Sequence, residues 1–98
     1  MTDNREKLQS RRYLISGMVQ GVGFRYFAMR AAERQSVAGY AKNLRDGRVE
    51  AYAIGNEQRL ANFRADLEVG PPGALVSGVS EEDAPFLAQF SKRFSIEH

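Results

Sequence analysis

Residues 13–35, YLISGMVQGVGFRYFAMRAAERQ, decide the fold of this chain. Tyr13 to Gln20 is rich in β-forming residues in rough alternation, which predicts a first strand. Gly21-Val22-Gly23 interrupts that pattern. From Phe24 to about Gln35 apolar residues recur at helical spacing, which predicts a helix. The stretch therefore predicts a strand, a glycine-rich turn and a helix in direct succession.

The rest of the chain carries signals of the same kind. Asp46-Gly47 is a strong hairpin signal because both turn positions tolerate positive φ. Asn56 is a good N-cap, and Gly70-Pro71 ends a helix. The further predicted elements are strands at Val37–Asn43 and Arg48–Ile54, a helix from Asn56 to Gly70, a strand at Ala74–Ser80 and a last extended piece at Phe90–Glu97.

The predicted order, strand-helix-strand-strand-helix-strand, is that of the split βαβ arrangement. It predicts an α+β, ferredoxin-like (βαββαβ) sandwich, in which an antiparallel sheet carries two helices on one face because both crossovers are right-handed. Strands one and two bracket the first helix, so the loop after strand one should lie near the end of strand two. This fold supports many functions, and function must come from particular residues.

Length and composition limit the classes of protein to which this chain can belong. A chain of 98 residues, 43% of them hydrophobic, fits a single domain. The absence of cysteine excludes disulfides, thiolate zinc sites and cysteine nucleophiles, and it fits a cytoplasmic location. No apolar run approaches the roughly 20 residues of a membrane span. The polar residues 1–10 are expected to form a flexible tail before a domain at residues 11–98.

Net charge and the titratable residues limit which binding partners and cofactors are expected. The net charge of +2 is low for a nucleic-acid binder of this size, so no nucleic-acid partner is expected. A monomer is the default expectation. The single histidine, His98, is the last residue and receives no role, because chain ends are rarely held rigidly. No metal site and no cofactor are expected.

The turn before the first helix has the character of an anion site. Successive N–H groups of such a turn can converge, and a helix N-terminus adds free donors and partial positive charge. A cation such as Arg25 in the first helical turn is unfavourable by a few tenths of a kcal/mol, unless an anion lies between it and the N–H groups. Its guanidinium suits two phosphate oxygens. On spacing alone, an exposed surface arginine beside an ordinary turn remains the alternative.

Three related phosphate motifs are excluded. A dinucleotide fingerprint needs a third glycine where Tyr26 stands, and a Walker loop needs lysine followed by serine or threonine. A Cys-x5-Arg phosphatase loop has Val19 at its nucleophile position here. Because residues 17–25 contain no Cys, Ser, Thr or His, a covalent phosphoenzyme is not expected and water is the predicted nucleophile.

Two motifs resemble those of the acylphosphatase family. Residues 17–25, GMVQGVGFR, match G-x-V-Q-G-V-x-F-R, and residues 39–50, GYAKNLRDGRVE, match G-W/Y-V-x-N-x-x-D-G-x-V-E except at Ala41. A G-P-x-x-A-x-V-x-x-V pattern begins at Gly70, and Phe94-x-Ile96 is similar to the family's last strand. The resemblance covers about residues 11 to 97.

This resemblance implies hydrolysis of a small-molecule acyl phosphate to a carboxylate and inorganic phosphate, without metal or cofactor. It implies that Arg25 binds the phosphoryl oxygens and that Asn43 holds the attacking water. A hairpin residue is the alternative for Asn43. The backbone N–H groups of a phosphate-binding loop would assist Arg25: Gln20, Gly21, Val22, Gly23 and Phe24. The chemistry fits a sparse site, since a carboxylate leaving group needs no general acid and a loose transition state needs no strong base.

The sequence departs from the family pattern in a few places. Met18 replaces a basic residue, and Ala41 replaces a larger β-branched one. Gln35-Ser36 stands where Leu-Gly is usual, and Ser36 should be a poorer left-handed helix cap than glycine by roughly 1 kcal/mol. These positions lie outside the proposed catalytic pair.

Other functional classes stay open as alternatives. A catalytically silent, anion-binding or regulatory module on the same fold would keep the phosphate site without turnover. A second alternative is the related domain that is fused to larger carbamoyl-transferring proteins. An RNA-recognition domain shares the layout, but its aromatic signature belongs on the third strand, whereas residues 21–27 here follow the first strand and open a helix.

Overall fold

The fold is taken from a computed structural model that describes residues 7–98. Within them the chain forms five strands and two α-helices. Their bounds are β1 Gln9–Met18, α1 Phe24–Gln35, β2 Ala38–Asn43, β3 Val49–Gly55, α2 Glu57–Val69, β4 Leu75–Asp83 and β5 Phe94–Glu97, with a 3-10 turn at Ala88–Phe90.

The five strands form one sheet in the order β4-β1-β3-β2-β5. All neighbouring pairs are antiparallel except β2 and β5, which are parallel. The α+β ferredoxin-like fold is confirmed, and the fifth strand makes its sheet mixed rather than wholly antiparallel. The reason lies in the connection. β4 ends at the end of the sheet where β2 begins, so β5, which enters from that end beside β2, runs parallel to it.

Both helices pack on one face of this sheet and enclose the core. Phe63 of α2 lies edge-on to Tyr13 of β1 and to Phe94 of β5, with ring centroids 5.8 and 5.7 Å apart. Such edge-to-face contacts stabilise aromatic pairs beyond simple burial. The fully buried side chains of this core also include Ile15, Val19, Phe24, Ala28, Ala31, Ala32, Ala41, Val49, Ala51, Ala53 and Leu67.

Three local signals of the sequence are confirmed. Helix α1 has the bounds that its periodicity predicts. Asn56 caps α2, because its side-chain oxygen accepts a hydrogen bond of 2.8 Å from the backbone N–H of Arg59. Asp46-Gly47 lies in the hairpin between β2 and β3, with φ of 95° at Gly47.

The start of β1 differs from the prediction. Gln9 and Ser10 pair with the end of β3, and the Ser10 carbonyl accepts a 3.1 Å bond from the N–H of Ala84. The strand therefore begins inside the segment expected to be a tail, and it ends at Met18, before Gln20. Pairing on both sides explains the longer strand. Residues 1–6 of that expected tail lie outside the described residues.

The end of β4 also differs from the prediction. Residues 11–13 of β1 pair with residues 81–83, so β4 continues past the predicted Ser80 to Asp83. Arg12 donates to Glu82 at 2.7 Å and Arg11 forms an ion pair with Asp83, but such exposed pairs contribute little to stability. The predicted extended piece Phe90–Glu97 was wrong in its first part, since β5 begins only at Phe94.

Ser36 ends α1 in the left-handed conformation, with φ of 57° and ψ of 44°. Its N–H donates to the Glu33 carbonyl at 3.2 Å, and the N–H of Val37 donates to the Ala32 carbonyl at 3.0 Å. This pair of bonds is a Schellman motif, a position that glycine normally fills. The expected left-handed cap at Ser36 is confirmed.

We predict that Ser36→Gly raises the free energy of unfolding by about 0.5–1 kcal/mol, because glycine adopts positive φ without a Cβ penalty. Chemical denaturation of both proteins measures the difference. Ser91→Gly is a matched control, since Ser91 has a negative φ of −90° and its hydroxyl donates to the Ala88 carbonyl. That variant should lose stability. A less stable Ser36→Gly protein would contradict the assignment of strain to this residue.

Candidate active site

The loop between β1 and α1 is held in a turn that requires glycine. Gly21 and Gly23 have φ of 78° and 76°, in the left-handed region. An added Cβ at either position would meet nothing within 4 Å. Backbone conformation, rather than lack of space, therefore explains both glycines. The buried side chain of Val19, 1% exposed, anchors the start of the loop in the core.

The loop leads directly into the N-terminus of α1. Gly23 is the N-cap, and no side chain caps this end. The first intrahelical bond runs from the N–H of Phe27 to the Gly23 carbonyl at 3.0 Å, so the preceding N–H groups have no partner in the helix. The first turn contains no acidic residue. This end of the helix is therefore electropositive and can stabilise an anion.

Arg25 lies in this first turn, half-buried, and is held by the end of the chain. One guanidinium nitrogen, Nη1, donates to the backbone carbonyl of Glu97 at 3.1 Å and lies 3.3 Å from Nδ1 of His98. Within residues 7–98 the guanidinium forms no ion pair with a carboxylate. Its positive charge is oriented without being neutralised.

Asn43 is the last residue of β2, at the base of the β2–β3 hairpin. It pairs with Val49, and beyond it the N–H of Leu44 donates to the Arg48 carbonyl at 2.8 Å. Asp46 accepts hydrogen bonds from the side chain and the backbone N–H of Arg48, and these lower the pKa of the Asp46 carboxyl. The turn residues serve the hairpin, as predicted, and leave Asn43 at the strand end.

Arg25 and Asn43 line one pocket of about 180 Å3, several times the roughly 30 Å3 that one water molecule occupies. The pocket is lined by Val19, Gly21, Gly23, Phe24, Arg25, Tyr26, Asn43 and Ile96. No acidic residue is among these lining residues, so no lining side chain places a negative charge against a phosphate.

The predicted site residues are thus brought together only in part. The pocket unites Gly21, Gly23, Phe24, Arg25 and Asn43. The other two predicted loop residues do not line it. The side chain of Val22 packs against the core, and the side-chain amide of Gln20 turns toward the β2–β3 hairpin.

The sequence reasoning missed several contributors to this site. Val19, Tyr26 and Ile96 line the pocket, and the carbonyl of Glu97 accepts a hydrogen bond from Arg25. Ile96 and Glu97 reach the site because β5 runs parallel to β2, opposite Ala41 and Lys42. The apolar alternation of Phe94 and Ile96 signalled a strand, but nothing in it specified the neighbouring strand.

A larger pocket, of about 460 Å3, lies at the opposite end of the sheet. It is lined by residues near the C-terminus of α1 and the N-terminus of α2, such as Glu33, Ser36 and Arg59. None of the predicted site residues contributes to it. Size alone therefore does not select the candidate site. We select the smaller pocket because the loop, the Arg25 cation and the Asn43 amide meet there.

The described part of the chain lacks two features, a cluster of metal-ligating side chains and a membrane-spanning helix. Among residues 7–98 no group of three or more His, Cys, Asp or Glu side chains could hold a metal ion. Neither described helix combines the length and apolar character that crossing a membrane requires.

Comparisons with known proteins agree with these motifs. The family model described as Acylphosphatase matches residues 11–96. The chain is 48% identical over 93 residues to an acylphosphatase of Halorhodospira halophila, covering 93% of this chain and 98% of that protein. It is 44% identical over 85 residues to an acylphosphatase of Solibacter usitatus, covering 87% and 88%. The crystal structure of acylphosphatase from Bacillus subtilis is similar, with a TM-score of 0.85 and 39% identity over 94% of this chain and 100% of that one.

Proposed function

Since this chain belongs to the acylphosphatase family, we propose that it hydrolyses acyl phosphates by direct in-line attack of water on phosphorus, without a metal ion or a covalent intermediate. The enzyme is a hydrolase that acts on acyl phosphates. Its products are a carboxylate and inorganic phosphate. Arg25 and Asn43 are the proposed catalytic residues.

One observation carries this proposal. An arginine that no described carboxylate neutralises shares a pocket with the strand-end amide of Asn43, beside a glycine loop that opens a helix. The guanidinium and the N–H groups of residues 20–24 supply converging donors for phosphoryl oxygens. The amide of Asn43 supplies both an acceptor and a donor for a water molecule. The pocket can therefore hold both reactants at once.

The reaction follows from this arrangement. The water oxygen forms a bond to phosphorus while the bond from phosphorus to the acyl oxygen breaks, and its electron pair leaves with the carboxylate. The proton of the attacking water passes to the phosphate product or to solvent. A carboxylate is stable as an anion, so no residue must protonate it. Arg25 and the loop stabilise charge on the phosphoryl oxygens, and Asn43 aligns the water.

We propose that the enzyme works as a cytoplasmic monomer on small-molecule acyl phosphates, with no nucleic-acid or membrane partner and no cofactor. We propose that residues 11–98 form the acylphosphatase-like domain, with the start of β1 at Gln9 added to it. The net charge of +2 and the lack of cysteine support this setting.

Turnover of benzoyl phosphate, a simple aryl acyl phosphate, tests the proposed function. We expect purified protein to release benzoate and phosphate from it. An alkyl phosphate monoester should be cleaved far more slowly, because an alkoxide is a poor leaving group without a general acid. A catalytically silent anion-binding module would bind phosphate and leave benzoyl phosphate intact.

We predict that strong chelators leave this turnover unchanged, because the proposed chemistry uses Arg25, Asn43 and backbone N–H groups only. The measurement compares initial rates in excess EDTA with rates in added magnesium. Loss of activity in EDTA that a divalent ion restores would contradict the metal-free mechanism.

We predict that inorganic phosphate and sulfate inhibit competitively, since both anions fit the donors of residues 20–25. Their inhibition should weaken as salt concentration rises, because the interaction is electrostatic. Initial rates at several substrate and anion concentrations give the inhibition pattern. A purely noncompetitive pattern would place the anion site away from the reaction centre.

A further inference from the structure

One side chain of the phosphate loop reaches across to the hairpin that carries Asn43. The side-chain nitrogen of Gln20, Nε2, donates to the Leu44 carbonyl at 2.7 Å and to the Arg48 carbonyl at 2.9 Å. Carbonyl oxygens only accept, so the chemistry fixes the amide with its NH2 group toward the hairpin. Both N–H bonds of that group are used.

The two accepting carbonyls lie at the base of the hairpin. Leu44 directly follows Asn43, and Arg48 directly precedes Val49, the residue that pairs with Asn43. The same carbonyl of Arg48 also accepts the 2.8 Å bond from the N–H of Leu44 that closes the hairpin. Gln20 therefore contacts both strands of the hairpin, one residue beyond the pair formed by Asn43 and Val49.

The sheet itself does not supply this connection. β3 lies between β1 and β2, so no ladder of backbone hydrogen bonds joins the strand that leads into the loop to the strand that ends at Asn43. Within residues 7–98, the two bonds from Gln20 are the side-chain hydrogen bonds that join loop 19–23 to the hairpin residues 44–48. These two bonds connect the loop directly to the hairpin, in addition to the indirect connection through β3.

We propose that the side chain of Gln20 is a positioning residue that sets the Asn43 amide, and with it the attacking water, at the correct distance from the bound phosphoryl group. This role rests on the proposed function of Asn43. It is separate from the proposed use of the backbone N–H of Gln20 in the phosphate loop. A reaction between two oriented groups is sensitive to displacements of the order of 1 Å, so loss of the contact reduces the rate of the chemical step.

The test replaces Gln20 with methionine, which is uncharged and similar in shape but cannot donate to the two carbonyls. We expect kcat to fall by roughly tenfold, while the Kd for inorganic phosphate stays within about twofold, since the loop N–H groups and Arg25 remain. Gln58→Met is the matched control, because Gln58 is exposed and its amide donates only to Asn62 on the same helix. That variant should keep full kcat.

A double-mutant cycle separates positioning from general stability. If Gln20 acts through Asn43, Gln20→Met should change kcat by less than about twofold when Asn43 is already alanine. Equal losses in both backgrounds would overturn the proposal, as would an unchanged kcat in the single variant. Melting temperatures measured beside the kinetics show that each variant is folded at the assay temperature.

The same experiment distinguishes this proposal from the proposed function on which it rests. Full kcat in Asn43→Ala would overturn the water-holding role of Asn43 itself. A large loss in Asn43→Ala together with full kcat in Gln20→Met would overturn only the positioning role of Gln20. A drop in phosphate affinity that equals the drop in kcat for Gln20→Met would show that the side chain supports the phosphate loop rather than Asn43.

Discussion

Replacing Arg25 with alanine is expected to abolish turnover and to remove measurable phosphate binding. The guanidinium is proposed to contact the phosphoryl group before and during the reaction, and within the described residues no carboxylate neutralises it. We expect a loss of about 3–5 kcal/mol in transition-state stabilisation, because a charge-assisted, two-pronged contact is removed. Equilibrium phosphate titration and steady-state kinetics measure both effects.

Two further variants sharpen this result. Arg25→Lys should restore little activity, because an ammonium group cannot reproduce the planar geometry that contacts two oxygens at once. Arg34→Ala is the matched control, since Arg34 lies in the last turn of the same helix and pairs with Asp66 at 3.6 Å. It should retain activity and phosphate affinity. Near-normal kcat/KM in Arg25→Ala would contradict the assignment of the site.

Replacing Asn43 with alanine is expected to separate catalysis from binding. Asn43 is proposed to touch water and not phosphate, so kcat should fall about a hundredfold or more while phosphate affinity changes by no more than a few fold. The two measurements are the same as for Arg25. The contrast between the two variants assigns one residue to the anion and the other to the nucleophile.

Asn62→Ala is the control for the loss of an asparagine side chain. Asn62 lies on the exposed side of α2, where its oxygen accepts a bond from Gln58. The Asn62→Ala variant should leave kcat unchanged. If Asn43→Ala lost phosphate binding as completely as Arg25→Ala, the water-positioning role would be wrong. If it kept full kcat, Asn43 would be a hairpin residue only.

Local signals made much of the fold predictable from the sequence. The periodicity of residues 24–35, the Asn56 cap and the Asp46-Gly47 turn each depend on neighbouring residues, and the structure confirms all three. The left-handed end of α1 at Ser36 was predictable for a different reason, since the family resemblance placed glycine at that position.

Contacts between distant segments were not predictable in the same way. β1 starts early because Gln9 and Ser10 pair with β3, and β4 ends late because its last residues pair with the start of β1. Read alone, the charged residues 1–10 suggest a tail. The parallel course of β5 depends on where β4 ends, which no local pattern specifies.

The same distinction between sequence motifs and contacts of distant segments applies to the candidate site. The type and position of Arg25 indicated an anion contact, whereas the role of Asn43 came only from the resemblance of the two motifs to those of the family. The contact from Gln20 to the hairpin and the carbonyl of Glu97 beside Arg25 join residues 24 to 72 positions apart in the chain. Such contacts follow from the packed fold, so the sequence motif marked Gln20 only as part of the loop.

The most direct test of the mechanism is hydrolysis of benzoyl phosphate in water enriched in oxygen-18. Enough enzyme is used for the catalysed rate to exceed the spontaneous rate by a large factor. Attack of water on phosphorus transfers the label to inorganic phosphate and leaves benzoate unlabelled, which is the result that the Arg25 and Asn43 geometry predicts. Label found in benzoate would mean that water attacks the carbonyl carbon, and it would contradict a site that binds and activates the phosphoryl group.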